Sequence, residues 1–323
     1  MSVMIRLTLG VAMLAFVVSR ADLSGLTLQW GPAAWAGLAS AVVLMVIALA
    51  ASAVRWRLVL GPGAPALSFL CRLYFVGWFF SLFLPTSVGG DAVRTVALSR
   101  ATTSAGGGLG SVVLERLLGV GALAAFLALG AVVAPSSWRA LVADVHVRLP
   151  WWTVLAALPL TAVTLLFVRA CVRSMPMAAR ASSEAMQLWR QFRRSPTRIV
   201  GAFGVSLVVQ GCYILAWLTL AASLGLHVPL RDMLVFVPFV SLAAMLPITL
   251  SGLGVREGVW VLLLAPLGIA GANAIGFSLS YYAANGIVGI LGGVVFAVLG
   301  TDAAASQSAS PHVLSHDGVA SGP

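Results

Sequence analysis

The sequence predicts an all-α, polytopic integral membrane protein, and three observations lead to this fold class: its composition, its long apolar stretches and two interruptions of such stretches. Of the 323 residues, 60% are apolar and 9% are charged, whereas a soluble domain carries about 25% charged residues. The excess apolar surface has to face lipid. The stretches have the length of membrane helices and lack the short alternation typical of a membrane β-barrel.

Six apolar stretches are predicted to cross the bilayer: residues 7–19, 33–54, 109–134, 150–167, 200–224 and 272–299. The first resembles a signal peptide, but the residues that follow it form a poor cleavage site. We therefore interpret it as a short first span.

We predict one membrane domain, residues 1–300, with halves at 1–170 and 199–300. A basic cytoplasmic loop, residues 169–198, joins the halves. The tail at 301–323 is small and polar and is expected to be disordered.

Two further apolar stretches are interrupted. Residues 68–84 end at Pro85, and residues 233–246 end at Pro247, with a short apolar piece at 259–269 after the second break. Each piece is too short for an ordinary span. We predict two re-entrant or broken helix hairpins.

The two interruptions resemble each other. The run LPTSVGGDAVR at 84–94 aligns with LPITLSGLGVR at 246–256, with Pro and Arg nine positions apart and a glycine five positions after the Pro. With the N-terminus in the cytoplasm, the first hairpin enters from the cytoplasm and the second from outside. Such a pair predicts an inverted-repeat transporter whose site lies at the repeat interface.

Each break has a physical interpretation as an anion site. Proline ends the first half-helix, and the glycines, which are Gly89, Gly90, Gly252 and Gly254, let the chain reverse. A second half-helix then begins, and its free N–H groups and partial positive charge favour an anion.

Arg94 and Arg256 fall in the first turns of the second half-helices, where a guanidinium can bind a phosphate through two hydrogen bonds. An acidic residue lies beside each of them, Asp91 and Glu257. The alternative is that each pair only neutralises itself, because an unpaired charge at bilayer depth costs at least ~2.5–3.5 kcal/mol.

Glu115 and Arg116 form a third acidic and basic pair, inside the span that begins at residue 109. Neighbours on a helix do not face each other, so each needs a partner on another segment. The two broken segments are the expected partners; a position at the cytoplasmic edge is the alternative.

The arginines indicate the orientation. All nineteen basic residues are arginine, and a cytoplasmic N-terminus places Arg55, Arg57 and the 169–198 loop inside. Only Arg20, Arg139, Arg148 and Arg231 then lie outside, as the positive-inside rule favours. The net charge of +10 reflects orientation and attraction to anionic lipid rather than nucleic acid. The loop is either a plain connector or a binding segment for anionic lipid or a partner.

The sequence offers little for covalent chemistry. It has no nucleophile elbow, its four histidines lack metal-ligand spacing, and its three cysteines imply no disulfide framework. We expect no catalytic residue, no metal and no cofactor, and we expect that the chain is not an enzyme.

The runs LPTSVGGDAVR, VVLERLLGV and LPITLSGLGVREG, in this order, resemble the lysylphosphatidylglycerol synthase transmembrane (flippase-like) family. Its members include the membrane half of MprF-type aminoacyl-phospholipid synthases and stand-alone HpnL-like proteins of hopanoid-producing bacteria. The resemblance covers roughly residues 5–300, and we expect no cytosolic aminoacyl-transferase domain of the kind that full synthases carry. It implies a bacterial inner-membrane protein, with both termini cytoplasmic in our topology, that moves a lipid or isoprenoid amphiphile between leaflets. By motif position it implies roles for these residues: Gly89, Gly90, Asp91, Arg94, Glu115, Arg116, Gly252, Gly254, Arg256 and Glu257.

The sequence therefore predicts a lipid flippase-like transporter with a polar site at mid-membrane, with no nucleic-acid partner. Two alternatives stay open: an accessory scaffold for a lipid-modifying enzyme or glycosyltransferase, and a membrane-embedded transferase that uses Asp91 or Glu257 as a base. A lipid-biosynthetic enzyme as partner and a homo-oligomer are both compatible with this sequence.

Overall fold

The computed structural model describes residues 27–28, 31–83, 89–102, 105–148, 186–245 and 252–299. Within these ranges the chain forms helices and no strand. The first half contains α1 Pro32–Leu60, α2 Leu67–Phe83, α3 Gly89–Thr102, α4 Ala105–Val133 and α5 Pro135–Arg148. The second contains α6 Pro196–Ser223, α7 Leu230–Ala244, α8 Val255–Leu264, a 3-10 turn Ala265–Leu267, and α9 Gly271–Leu299.

Four of the described helices are long and apolar enough to cross a membrane: α1, α4 from Gly108, α6 and α9. They confirm long apolar helices at the spans predicted at 33–54, 109–134, 200–224 and 272–299, and α1 extends six residues beyond its predicted end at residue 54. The predicted spans at 7–19 and 150–167, the tail at 301–323 and most of the 169–198 loop lie outside the described residues.

The described helices follow the same order in both halves. A long helix is followed by a short one, a break, a second short helix and a second long one, so that α1 to α4 correspond to α6 to α9. The packing repeats as well. The equivalent helices α1 and α6 form the most extensive contact, α2 packs against α9, and its counterpart α7 packs against α4.

The central helices α1 and α6 are antiparallel. Arg198, in the first turn of α6, donates to the carbonyls of Leu58 and Val59 at the end of α1. At the other end, Gly37 of α1 packs so closely on α6 that a Cβ there would collide with the side chain of Ser223. Because α1 and α6 are equivalent, the two halves are inverted relative to each other, as the aligned motifs predict.

The two hairpins therefore start at opposite ends of the molecule. Helix α2 begins seven residues after the end of α1, and α7 begins seven residues after the end of α6. Each leads along the chain to an interruption. The breaks themselves lie outside the described residues: they are residues 84–88, with Pro85, and residues 246–251, with Pro247. The structure does describe the helices on either side of each break.

Glycines set the geometry beside both breaks. Gly90 of α3 lies against α2, where a Cβ would collide with the carbonyl oxygen of Gly77. After the second break, Gly252 and Gly254 have φ of 76° and 81°, which non-glycine residues rarely adopt. Gly254 is the N-cap of α8.

Candidate functional site

Five charged side chains gather where α1, α3 and α4 meet. They are Arg55, Asp91, Arg94, Glu115 and Arg116. The first four are at most 8% exposed, whereas the side chain of Arg116 is 47% exposed. Charges buried to this degree need partners, since desolvation costs several kcal/mol per ion.

Glu115 is the centre of the cluster. Its Oε1 accepts a hydrogen bond from Arg55 Nη2 at 2.5 Å and another from the hydroxyl of Tyr74. Its Oε2 accepts from Arg94 Nη1 at 3.2 Å. One carboxylate therefore joins α1, α2, α3 and α4.

Asp91 is a second bridge, between α3 and α4. It accepts from Arg94 Nη2 at 2.6 Å through one oxygen and from Arg116 Nε at 2.6 Å through the other. We predicted that Glu115 and Arg116 find partners on the broken segments; both do so on the first one. Both carboxylate oxygens of Asp91 thus bind guanidinium groups.

Two aromatic rings hold the guanidinium of Arg94. Its Cζ lies 4.1 Å from the ring centroid of Tyr74 and 5.1 Å from that of Trp56. Trp56 is itself fixed by a 2.8 Å hydrogen bond to Ser111. Stacking of this kind favours arginine over lysine, and it restricts the plane in which Arg94 can bind a ligand.

These charges line a cavity of about 220 Å³. Its wall also includes Ser81, Trp78, Gln210 and Tyr213, together with apolar side chains of α1, α4 and α6. Gly90 lies just after the first break and Met245 just before the second, and both face this cavity. The two interrupted segments thus meet at one chamber.

The cavity wall is rich in donors. Three arginines face two carboxylates, which leaves a charge of 3 − 2 = +1 in the described cluster. Arg55 Nε and Trp78 Nε1 are buried and have no acceptor in the described part of the chain. Buried donors are nearly always satisfied by protein, water or ligand, so the chamber is suited to a group with several acceptor oxygens.

Arg55 is a site residue that the sequence analysis did not include. We expected its span to end at residue 54, just before Arg55, but α1 continues to Leu60 and Arg55 is buried. An arginine inside a continuous helical pattern was the signal for its role. Tyr74 and Trp78 gave no such signal, because aromatic side chains in an apolar segment usually only pack.

Glu257 and Arg256, after the second break, do not form an ion pair with each other. Glu257 is fully buried; its Oε2 accepts from the N–H of Gly254 at 2.6 Å and its Oε1 from Ser278 at 2.8 Å. Glu257 thus caps α8 from position N3, which is the half of a capping box that a glycine N-cap permits. The alternative that Arg256 and Glu257 only neutralise each other is therefore not supported.

Arg256 is held by aromatic rings, as Arg94 is. Its Cζ lies 4.4 Å from the centroid of Tyr282 and 5.8 Å from that of Tyr281. It does not line the cavity around Glu115. These contacts do not place Arg256 in the same site as Arg94. A role of Arg256, Gly252 and Gly254 in ligand binding stays a prediction.

Comparison with known proteins complements this geometry. Neither the curated proteins nor the solved structures contain a significant match to the chain. The profile of one family, described as "Lysylphosphatidylglycerol synthase TM region", matches residues 3–293, which include the cavity and both breaks. The chain therefore belongs to the lysylphosphatidylglycerol synthase transmembrane-region family, a family of membrane proteins in lipid modification or transport.

Proposed function

We propose that this protein moves an anionic lipid across the membrane, with the headgroup passing through the cavity around Glu115 and Arg94. The observation that supports this proposal most strongly is that the chamber has more hydrogen-bond donors than acceptors. Its charged cluster has a net charge of +1, and two buried donors lack an acceptor among the described residues. A phosphodiester has the acceptor oxygens and the negative charge that such a wall lacks.

The dimensions favour a headgroup over a whole lipid. Pockets for drug-sized ligands measure about 300–1,000 Å³, and this chamber holds about 220 Å³. A phosphate with a small headgroup fits such a volume, while two acyl chains have to remain outside. In a transporter, the tails then stay in the hydrocarbon phase.

The arrangement of the halves supports transport rather than binding alone. The two hairpins are inverted, and Gly90 beside the first break and Met245 beside the second both line the cavity, as in transporters whose site lies at the interface of inverted repeats. Asp91 and Glu115 compete with the ligand for the arginines. We infer that they hold the cluster together when the headgroup leaves.

The test is lipid translocation by the full chain in proteoliposomes. A fluorescent phosphatidylglycerol in the inner leaflet, protected from an impermeant quencher, reports its own movement outward. Arg116→Gln is the informative variant, because Arg116 is half-exposed and the buried bonds of Glu115 persist without it. We expect the translocation rate to fall at least ~10-fold, which corresponds to an increase of about 1.4 kcal/mol in the activation free energy.

Arg139→Gln is the matched control, since Arg139 is exposed and donates only to the carbonyl of Pro135 in the described structure. Its rate is expected to equal that of the wild type. Equal rates for Arg116→Gln and Arg139→Gln would contradict the proposal. A wild-type protein that moves no lipid, but co-purifies with a lipid-modifying enzyme, would instead support the accessory role.

A further inference from the structure

We propose a second lipid site, in a cleft at the arginine-rich end of the α1–α6 pair, which binds the headgroup of an anionic phospholipid from the adjacent leaflet. The cleft has a volume of about 290 Å³ and is separate from the cavity around Glu115. Its wall consists of Val54, Arg57, Leu58, Gly61, Pro62 and Arg198.

Arg198 is fixed in this cleft before any ligand arrives. Its Nε donates to the carbonyl of Leu58 at 3.1 Å and its Nη2 to that of Val59 at 3.2 Å. These carbonyls belong to the last turn of α1, where a helix leaves acceptors without partners. The remaining nitrogen, Nη1, makes no hydrogen bond within the described ranges, so a preorganised donor is available to a ligand.

The end of α1 is shaped to receive this guanidinium. Gly61 has a φ of 80° and donates its N–H to the carbonyl of Arg57 at 3.0 Å. A Cβ at position 61 would lie 2.6 Å from Cζ of Arg198. A side chain at position 61 would therefore be strained by the backbone and would displace the end of Arg198. Arg57, in the same last turn, is exposed and adds a second guanidinium to the rim.

The surroundings of the cleft are strongly positive. A helical segment at 186–193 packs on the bundle through the buried Leu188 and Phe192, and the Phe192 ring lies 5.9 Å from Cζ of Arg198. Exposed arginines follow on its outer side and just after it, at positions Arg190, Arg193 and Arg194. The acidic side chains that the structure describes, those of Asp91, Glu115, Asp232 and Glu257, make their bonds elsewhere.

The cleft has the two-part chemistry of a lipid. The arginines form its polar rim, and Val54 and Leu58 give an apolar wall that continues along a membrane-spanning helix, with Val54 itself 38% exposed. Trp189, 41% exposed, lies on the neighbouring segment, as tryptophan does at membrane interfaces. A soluble acidic ligand needs the rim alone; only an amphiphile uses both.

The test counts the phosphatidylglycerol that the purified full chain retains in neutral detergent, by native mass spectrometry. The proteins are the wild type, Arg57→Gln, Arg116→Gln, the double variant and the control Arg139→Gln. Arg57→Gln leaves the α1–α6 bonds of Arg198 intact. We expect Arg57→Gln to reduce phosphatidylglycerol retention about 10-fold at one site. The reduction should be the same in the wild-type and in the Arg116→Gln background. Lipid translocation should stay unchanged.

The proposal is overturned if Arg57→Gln retains as much phosphatidylglycerol as the wild type in both backgrounds. It is also overturned if phosphatidylcholine is retained equally well, because the site then does not recognise the negative charge. The same holds if glycerol phosphate without acyl chains displaces the lipid at equal concentration, because the site then does not recognise the acyl chains. Gly61→Ala, which displaces Arg198, is a second variant with the same expected loss. The result does not depend on what the central cavity binds.

Discussion

Arg94 and Glu115 join the first broken segment to a membrane-spanning helix, through a 3.2 Å bond between Nη1 and Oε2. Arg94 also binds Asp91 and lies over the ring of Tyr74. Arg94 therefore serves the fold and the cavity at once. Substitutions in this cluster have to distinguish a loss of stability from a loss of lipid recognition, so folding and translocation need to be measured on the same variants.

Glu115→Gln is expected to destabilise the protein by about 3–5 kcal/mol, because it leaves Arg55 and Arg94 buried without their shared carboxylate. Unfolding followed in detergent measures the change. A double variant with Arg55→Met should recover part of the loss, since it removes one of the two uncompensated charges. Additive losses in the double variant would show that the two side chains are not coupled.

The close contact between α2 and α9 depends on Gly292. A Cβ at this position would lie 2.9 Å from the carbonyl carbon of Phe75, so Gly292→Ala should lower the unfolding temperature. Gly286 lies on the same helix, and a Cβ there would have no heavy atom of the described residues within 4 Å. Gly286→Ala should be neutral, or more stable by about 0.5–1 kcal/mol. A similar effect of both substitutions would contradict the described packing.

Glu257 is expected to matter for stability and not for lipid recognition. Glu257→Ala removes the acceptor of the Gly254 N–H and of Ser278, at a cost of about 1–3 kcal/mol for buried groups without partners. Glu257→Gln keeps an acceptor and should cost less. If Glu257→Gln folds as the wild type but abolishes translocation, the carboxylate has a role beyond capping.

Arg94→Lys separates charge from geometry. Lysine retains the positive charge but cannot bind Asp91 and Glu115 through a planar fork or stack on Tyr74 in the same way. We expect a folded protein with translocation reduced about 10-fold or more. Arg256→Lys, which alters the equivalent arginine outside the cavity, should reduce it less. The two initial rates, measured at equal amounts of inserted protein, decide between these outcomes.

Much of the fold could be predicted from the sequence because membrane helices carry a strong signal in apolar length. The pairing of the LPTSVGGDAVR and LPITLSGLGVR runs likewise identified two equivalent breaks, and the antiparallel contact of Arg198 with Leu58 and Val59 agrees with their inversion. Helix ends were less predictable. Arg55 looked like the end of a span, although its helix continues to Leu60.

The residue types of the site could be predicted from the sequence, but the residue to which each charged side chain binds was harder to predict. A buried charge has to be paired, but sequence alone does not say with which residue, so the bond of Glu115 to Arg55, 60 positions away, could not be foreseen. The two motifs have similar sequences, but their three-dimensional environments differ. Asp91 binds two arginines, whereas Glu257 caps a helix, because the three-dimensional neighbours of the two breaks are not the same.

The central claim, that a lipid headgroup occupies the cavity around Glu115, is tested most directly by a phosphatidylglycerol with a photoreactive headgroup. After illumination of the full chain in membranes, mass spectrometry locates the adducts. We predict adducts on the cavity wall at Trp78, Gln210 or Tyr213, and their loss in Arg116→Gln. Adducts confined to exposed residues of the apolar helices, such as Val132 and Val298, and unchanged in Arg116→Gln, would contradict the account.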